Sequence, residues 1–204
     1  MVGSVANGWL IAVEGIDGAG KTTQAELLAA ALREAGYTAV LTKEPTKGPH
    51  GQKIRELSTA GADLSPEEEL GYFIEDRREH VRELIEPALA RGEVVITDRY
   101  YLSNVAYQGA HGLSPDVILT RNEALFPQPT AILLIEVSPE EGLRRVHARG
   151  GPLNKSFERI DFLTRAAEIF DAVERPYVRR IDGEAPPHIV HARVREALRG
   201  VFDL

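Results

Sequence analysis

The sequence predicts an α/β fold in which helices cover both faces of a five-stranded parallel sheet. Short apolar runs alternate with longer amphipathic segments along the chain, the order expected of such a fold. The third and fourth runs consist almost entirely of β-branched or apolar residues, as strands buried on both faces do. The five predicted strands are Trp9–Val13, Tyr37–Thr42, Glu93–Thr97, Thr130–Val137 and Val178–Asp182.

Two helices in the first half of the chain have ends that can be read from the sequence. The first runs from Lys21 to Ala35 and stops before Gly36, a residue type that closes helices well. The second opens at Ser65-Pro66-Glu67-Glu68, the pattern of a capping box with proline at the first helical position. We expect this second helix to run toward Gly92.

The second half of the chain predicts two further helices and an irregular segment. Ser138-Pro139-Glu140-Glu141 repeats the capping-box pattern after the fourth strand, and the last helix begins near Pro187. Gly150-Gly151-Pro152 breaks the helical pattern, so residues 149–158 are expected to form either a mobile lid or an ordinary surface loop. No linker or repeat divides the chain, and we expect residues 1–204 to form a single domain.

Composition excludes several classes of protein. The 204 residues include no cysteine, which rules out disulfide scaffolds, thiolate zinc sites and cysteine nucleophiles. Lys and Arg number 24 against 31 Asp and Glu, a formal net charge of −7, so no nucleic-acid polymer is expected as a partner. The N-terminus lacks the pattern of a signal peptide, and the apolar run Ala131–Ile135 is too short to span a bilayer. We therefore expect a cytoplasmic protein that does not contact a membrane.

A phosphate-binding loop is the clearest motif. Gly15-Ile16-Asp17-Gly18-Ala19-Gly20-Lys21-Thr22 matches G-x-x-x-x-G-K-[ST] and lies between a predicted strand and a predicted helix. Its glycines let consecutive backbone N–H groups turn toward a phosphate, and the helix N-terminus adds partial positive charge. In such loops the lysine, here Lys21, reaches the β- and γ-phosphates, and the hydroxyl of Thr22 binds Mg²⁺. The alternative is a glycine-rich turn that holds no ligand.

An acidic residue is expected beside this loop. Asp98 follows the apolar residues of the third strand, and ligands of open α/β sheets bind at the carboxyl ends of the strands. An aspartate in that place is a partner for Mg²⁺, either directly or through a bound water. The alternative is an aspartate that caps a helix or lies on the surface.

Two clusters have the composition of a site for the group that accepts the phosphoryl. Phe73 and Arg77 are spaced i, i+4 and share one face of a helix, and an aromatic ring with a guanidinium suits a planar base. The alternative for this pair is a core phenylalanine and a solvated arginine. Asp98 to Gly109 crowds hydrogen-bonding and aromatic groups after a buried strand, and its Arg99 is suited to clamp a phosphate through two N–H donors.

These motifs together resemble the thymidylate kinase family, whose members phosphorylate dTMP to dTDP with ATP. The resemblance covers most of the chain, and its most specific part is Asp98-Arg99-Tyr100-x-x-Ser103-x-x-Ala106-Tyr107-Gln108-Gly109. The other matching segments are Glu14 to Gln24, Lys43-Glu44-Pro45, Gln52 to Leu57 and Phe73-x-x-x-Arg77-x-x-His80. The resemblance implies a three-layer P-loop NTPase fold with a five-stranded parallel sheet and a short lid, and it implies a homodimer.

The resemblance also implies a role for each residue of a dTMP site. Phe73 stacks on thymine, Arg77 donates a hydrogen bond to a carbonyl oxygen of the base, and Asn104 touches its polar edge. Tyr107 crowds the C2′ position and so favours deoxyribose, while Arg99 grips the phosphate. The full implied substrate-binding set is Asp17, which accepts a hydrogen bond from the 3′-hydroxyl, with Glu44, Pro45, Phe73, Arg77, Arg99, Asn104, Tyr107 and Gln108.

ATP and Mg²⁺ are the cofactors that the resemblance implies. Thr22 and Asp98 are expected to hold the metal, and Arg145 is expected near the adenine. The implied ATP-binding set is Gly15, Ile16, Asp17, Gly18, Ala19, Gly20, Lys21, Thr22, Thr23 and Arg145. The implied catalytic set is Lys21, Asp98, Arg99, Arg149 and Arg159.

The sequence departs from the usual family pattern in three places. Some family members carry an arginine within the phosphate loop, where this chain has Gly18, so the extra cation is expected from Arg149 and Arg159 in the lid region. Thr46 replaces the glycine of the usual Glu-Pro-Gly and is expected where the acceptor phosphate approaches. Phe157-Glu158-Arg159-Ile160-Asp161 replaces the usual Asp-Arg-x-Glu of the lid.

Two other functions compete with dTMP phosphorylation. One is a different deoxynucleotide or deoxynucleoside kinase; the base-reading residues favour a pyrimidine, and Arg99 favours an acceptor that already carries a phosphate. The other is a non-catalytic nucleotide switch, for which guanine recognition normally uses Asn-Lys-x-Asp. The chain offers Asn154-Lys155 without that aspartate, which disfavours a guanine switch.

Overall fold

Five parallel strands form the centre of the fold. The computed structural model describes residues 8–60, 64–150 and 160–204. The strands are β1 Trp9–Glu14, β2 Ala39–Lys43, β3 Val94–Asp98, β4 Ala131–Glu136 and β5 Val178–Asp182. They pair in the order β2-β3-β1-β4-β5, and every pairing is parallel. The predicted fold class is therefore confirmed.

Helices connect the strands and pack around the sheet. They are α1 Lys21–Glu34, α2 Pro49–Ala60, α3 Pro66–His80, α4 Glu86–Ala90, α5 Tyr101–Ala110, α6 Pro115–Leu125, α7 Pro139–Arg149, α8 Ile160–Ala172 and α9 Pro187–Ala197. A π-helical stretch, Val81–Ile85, joins α3 to α4, so the run predicted toward Gly92 is one interrupted helix. Within the described part of the chain, no helix is both long enough and apolar enough to cross a membrane.

The central and edge strands differ in burial as their sequences predict. Nearly every residue of β1, β3 and β4 is buried, whereas β2 and β5 at the edges mix buried and exposed positions. The fifth strand has its predicted bounds, and the others differ by one or two residues at their ends. One difference affects the site: Asp98 is the last residue of β3 rather than the residue after it, because it is still in register with Val13 and Lys43 on the two neighbouring strands.

Of the two predicted capping boxes, one is complete. The hydroxyl of Ser65 accepts from the backbone N–H of Glu68, and the Glu68 carboxylate accepts from the backbone N–H of Ser65. Ser138 accepts from Glu141 in the same way, but its own N–H donates to Glu184, 2.7 Å away. The prediction for the second box is therefore half wrong, because a loop residue distant in sequence supplies the carboxylate.

The carboxyl edge of the sheet brings charged residues from three adjacent strands together. β1, β3 and β2 end there with Glu14, Asp98 and Lys43, respectively. β1 lies between β3 and β4 in the sheet. From the end of β1 the chain crosses toward β2, whereas from the end of the adjacent β3 it crosses in the opposite direction, toward β4. This is the topological switch point at which open α/β sheets bind their ligands.

Candidate active site

The phosphate-binding loop joins β1 to α1 and has the backbone that its glycines predict. Gly15, Gly18 and Gly20 all have positive φ, and Gly18 (φ 84°) also lies against the backbone of α7. A Cβ at Gly18 would lie 2.1 Å from the carbonyl oxygen of Gly142. An arginine at this position would therefore collide with α7. Any further cation for the phosphates has to come from outside the loop.

Lys21 is held inside the loop. Its side chain is 7% exposed, its Nζ donates to the carbonyl oxygen of Ile16 at 2.8 Å, and the carboxylate of Asp17 lies 3.8 Å away. Burial, together with the nearby charge of Arg99, lowers the pKa of Lys21 to about 8. The ammonium therefore has two polar partners. A phosphate that approaches it would stabilise its charged form, which burial disfavours.

Asp98 and Thr22 form the place where a metal ion would bind. The Thr22 hydroxyl donates to Asp98 Oδ2, and Lys43 Nζ lies 2.7 Å from the same oxygen. Asp98 Oδ1 is buried and has no hydrogen-bond partner in the described ranges, so the carboxylate retains a lone pair for a cation. No group of three or more acidic or histidine side chains within those ranges makes a metal cage. The Thr22 hydroxyl and Asp98 Oδ1 therefore fit a Mg²⁺ ion whose remaining ligands are nucleotide phosphates and water.

The cavity beside the loop has a volume of about 340 Å³ and is lined by every residue of the predicted dTMP set. Those residues come from four different parts of the chain, and only the fold places them together. They are Asp17, Glu44, Pro45, Phe73, Arg77, Arg99, Asn104, Tyr107 and Gln108. The structure adds Ile54, Arg55, Ser58 and Glu69, together with Tyr100 and Ser103, which belong to the predicted acceptor cluster but were given no role in it.

Arg77 is a buried residue of the cavity wall. It is 1% exposed, and its Nε and Nη2 donate to one oxygen of Glu44 at 2.8 and 2.6 Å. Its Nη1 donates to the side-chain oxygens of Asn104 and Asn122 at 2.8 and 2.7 Å. Four of its five N–H donors are thus used by protein groups. The alternative of a solvated arginine is therefore wrong, and one N–H remains for a ligand.

A directed chain of hydrogen bonds continues from Arg77 along the same wall. Asn104 accepts from Arg77 and donates to Gln108 at 3.0 Å, and Gln108 donates to Glu69 at 3.1 Å. A guanidinium only donates and an ionised carboxylate only accepts, so the two ends fix the orientation of both amides. Asn104 therefore presents its side chain to the cavity in one defined orientation.

Arg99 faces the phosphate loop across the cavity. It is 19% exposed, its Nη2 forms an ion pair with Asp17, and its guanidinium lies 5.1 Å from the ring centre of Tyr107. Burial raises the pKa of Asp17, but the charges of Arg99 and Lys21 outweigh it and leave that pKa below its usual value. The site thus places an ionised carboxylate between two cations, at the boundary of the loop and the cavity.

Thr46 does not line this cavity; its side chain binds α3 instead. Its backbone N–H and its hydroxyl donate to the two oxygens of Asp76, at 2.8 and 2.6 Å. The same hydroxyl accepts from the backbone N–H of Gly48 at 3.0 Å. The hydroxyl of Thr46 is therefore held by Asp76, and the expectation that Thr46 lies where the acceptor phosphate approaches stays a prediction.

The cations predicted for the donor side lie on or beyond α7. Arg145 is half-buried, binds Glu141, and donates through both terminal nitrogens to the carbonyl oxygen of Gly183 at 3.1 Å. Arg149 is the exposed last residue of α7. Arg159 and residues 151–158 of the predicted lid lie outside the described residues. Thr23 is exposed on the first turn of α1.

Several residues that support the site were given no role from the sequence, although Glu14 and His80 belong to segments that match the family. Glu14, Asp76, His80 and Asn122 are all buried and bind cavity residues or the loops beside them. Asn122 gives no sequence signal, because its partner Arg77 is 45 residues away along the chain. Glu14 stands directly before the loop motif and begins the matching segment Glu14 to Gln24, which was the signal available for it.

Comparison with known sequences gives a consistent answer. A family model described as thymidylate kinase matches residues 13–194. The thymidylate kinase of Xanthomonas campestris pv. campestris is 49% identical over 195 residues, covering 94% of this chain and 85% of that protein. The thymidylate kinase of Xylella fastidiosa is 47% identical over 196 residues, covering 94% and 89%. That of Desulfotalea psychrophila is 45% identical over 175 residues, covering 86% of each.

Proposed function

The chain belongs to the thymidylate kinase family, and we propose that it transfers the γ-phosphoryl group of ATP to the phosphate of dTMP, releasing ADP and dTDP. The observation that carries this proposal is the cavity beside the phosphate loop. The cavity borders the loop at Asp17, and its walls hold an aromatic ring, a buried arginine and a second arginine near the loop. An enzyme that joins two anionic nucleotides needs these two surfaces side by side.

On the donor side, the backbone of the loop and Lys21 hold the β- and γ-phosphates. Lys21 exchanges its bond to the carbonyl of Ile16 for a phosphate oxygen, which favours its charged form. Thr22 and Asp98 hold Mg²⁺, which neutralises charge on the β- and γ-phosphates when bound. Arg145, which joins α7 to the loop after β5, lies beside the adenine.

On the acceptor side, Phe73 stacks on thymine, and the remaining N–H of Arg77 donates to a carbonyl oxygen of the base. Asn104 supplies a polar contact to the same edge of the base, in an orientation fixed by Arg77 and Gln108. Tyr107 packs at C2′ of the sugar and Asp17 accepts from the 3′-hydroxyl. Glu44, Pro45 and Gln108 complete the wall.

Arg99 binds the phosphate of dTMP and turns one of its oxygens toward the γ-phosphorus. The new P–O bond forms as the bond between the γ-phosphorus and the bridging oxygen breaks, and ADP leaves with the bond electrons. Lys21, Arg99, Arg149 and Arg159 supply positive charge around the transferring group, and Arg149 does so from the end of α7. Positioning and charge account for most of the catalysis in such a reaction.

Two further expectations belong to this proposal. The family resemblance supports a homodimer that works in the cytoplasm. Mass measurement by light scattering tests the dimer, with a mass near twice the 22.4 kDa of the chain expected. A single-chain mass at micromolar concentration would contradict it.

Substrate profiling tests the function itself. The full-length protein is supplied with Mg·ATP and with dTMP, dUMP, dCMP or thymidine, and the formation of ADP and of the phosphorylated product is followed. We expect dTMP to have the highest kcat/KM. Activity confined to thymidine would establish a nucleoside kinase instead. ATP binding with no heat on addition of dTMP, and no protection from thermal unfolding by dTMP, would favour a nucleotide switch.

A further inference from the structure

Glu14 is a fully buried carboxylate that ends β1 and stands directly before the phosphate loop. It is 0% exposed. Its Oε1 accepts from the backbone N–H groups of Tyr100 and Ser103 at 2.8 and 3.0 Å, and its Oε2 accepts from the hydroxyl of Ser103 at 2.6 Å. Glu14 therefore binds the N–H of Tyr100, directly before α5, and shares the N–H of Ser103 with the carbonyl oxygen of Tyr100, 3.3 Å away.

The hydroxyl of Ser103 connects Glu14 to Arg99. The proton of this hydroxyl is donated to Glu14. Its oxygen therefore accepts a hydrogen bond from Arg99 Nη1, 3.1 Å away. The chain of bonds thus runs from a guanidinium through a hydroxyl to a carboxylate. Burial raises the pKa of Glu14, while the bonds from Ser103 and Tyr100 act in the opposite direction.

The backbone of Arg99 is also held in an unusual conformation. Its φ is +75°, a left-handed value that residues other than glycine rarely adopt. Its N–H donates to Val13 at 3.0 Å, and its carbonyl oxygen accepts from Thr97 at 2.7 Å. Backbone strain of this kind persists only where neighbouring groups impose it, and the bonds to Glu14 begin at the next residue, Tyr100.

We propose that Glu14 is a positioning residue for the acceptor phosphate: acting through Ser103, it fixes the guanidinium of Arg99 relative to the phosphate loop. The inference rests on the proposed function, in which Arg99 binds the phosphate of dTMP. Glu14 is covalently joined to Gly15 of the loop that holds the donor phosphates, so it ties the Nη1 side of Arg99 to that loop, while the ion pair with Asp17 ties the Nη2 side. An error of about 1 Å in the separation of the two reacting groups costs about 10²-fold in rate.

The experiment compares dTMP with thymidine, which has the same base and sugar but no phosphate. Ser103→Ala removes the hydroxyl link and leaves both backbone bonds to Glu14 in place. For the full-length variant we expect the Kd of dTMP to rise about tenfold, because a hydrogen bond to a charged group is lost, and the Kd of thymidine to stay unchanged. Titration calorimetry measures both constants. Glu14→Gln is likewise expected to raise the Kd of dTMP and to leave the Kd of thymidine unchanged.

Ser138→Ala is the matched control, since it removes a serine hydroxyl at the beginning of a helix, α7, away from the cavity. It should leave both constants unchanged. If Ser103→Ala weakens dTMP and thymidine by the same factor, or weakens neither, Glu14 acts only on the fold and the inference is wrong. If Glu14→Gln does not fold, the constants of Ser103→Ala decide alone. Failure of the wild-type protein to bind dTMP would refute the proposed function, which is a separate result.

Discussion

Glu44 and Arg77 form an ion pair in the interior of the protein, with Oε2 and Nη2 2.6 Å apart and both side chains almost fully buried. The pair joins the residue after β2 to the last turn of α3, 33 residues further along the chain. His80, one turn beyond Arg77, binds the other oxygen of Glu44 at 2.9 Å. A side chain that the sequence suggests for base recognition is thus also part of the interior of the fold.

Replacing Arg77 should therefore affect both stability and substrate binding. Arg77→Ala leaves Glu44 as an unpaired buried charge, and we expect a loss of about 3–5 kcal/mol in the free energy of unfolding. The KM for dTMP should rise in the fraction that still folds. Urea unfolding and steady-state kinetics measure the two effects. Arg78→Ala, at the exposed neighbouring position, should change neither; an equal effect of both variants would contradict this prediction.

Acid should weaken the fold through Glu44. Burial raises its pKa, but the charge of Arg77 and the bond from His80 outweigh burial and hold the pKa below 4.5. The unfolded chain therefore takes up a proton first, so this contribution to stability is complete above about pH 4.5 and is lost as the pH falls through the folded-state pKa. At pH 7 the free energy of unfolding of Glu44→Gln should be about 3–5 kcal/mol below that of the wild type. This difference in free energy should become smaller as the pH falls. A gap that stays constant from pH 7 to pH 3.5 would exclude Glu44 as the titrating group.

The hydroxyl of Thr46 should stabilise the loop after β2. Thr46→Val leaves one oxygen of the buried Asp76 without its donor, and we expect a loss of about 1–3 kcal/mol in the free energy of unfolding. Thr46→Ser keeps the hydroxyl and should stay within about 0.5 kcal/mol of wild type. Denaturant titration measures the free energy of unfolding of both variants. Equal values would show that the hydrogen bond from the Thr46 hydroxyl to Asp76 does not contribute to stability.

Gly18 should tolerate no side chain, and Gly36 provides the comparison. Both residues have positive φ, but a Cβ at Gly36 would meet nothing within 4 Å, whereas one at Gly18 meets the backbone of Gly142. Gly36→Ala should cost about 1–2 kcal/mol from backbone strain alone. Gly18→Ala should cost more and should also raise the Kd of ATP. Identical losses for the two variants, with ATP binding intact, would mean that the contact with α7 is unimportant.

Arg99→Ala should separate acceptor binding from donor binding. We expect kcat/KM for dTMP to fall about 10²–10³-fold, because the cation to which the proposed function assigns the acceptor phosphate is removed. ATP should still bind, since the phosphate loop keeps its own backbone and Lys21. Calorimetry with ATP and product assays with dTMP provide the two readings. Unchanged kinetics would assign Arg99 to the fold rather than to the substrate.

The strands and the phosphate loop were predictable because their signals are local. A buried strand and a glycine-rich loop are specified by residues adjacent in sequence, so their positions came within one or two residues of those observed. In the dTMP set, Phe73, Arg77 and Arg99 were proposed from residue chemistry and the other six from the family resemblance, and the fold brings all nine to one cavity. The polar contacts between distant segments were not predictable.

Two residues show why. Ser138 has the local pattern of a capping box, yet Glu184 in the loop after β5 takes the place of Glu141. Thr46 stands where the family usually has glycine, and nothing near it in sequence indicates that Asp76 on α3 binds its hydroxyl. In both cases a partner from another element competes with the local one, and only the three-dimensional arrangement decides between them.

The close approach of Gly18 to Gly142 makes these two positions a single unit for protein engineering. Each would place a Cβ within 2.6 Å of a carbonyl oxygen of the opposing segment, so neither side tolerates a larger residue while the other stays in place. A library that varies the loop alone would return only glycine at Gly18. Access to new sequences there requires α7 to be redesigned at the same time.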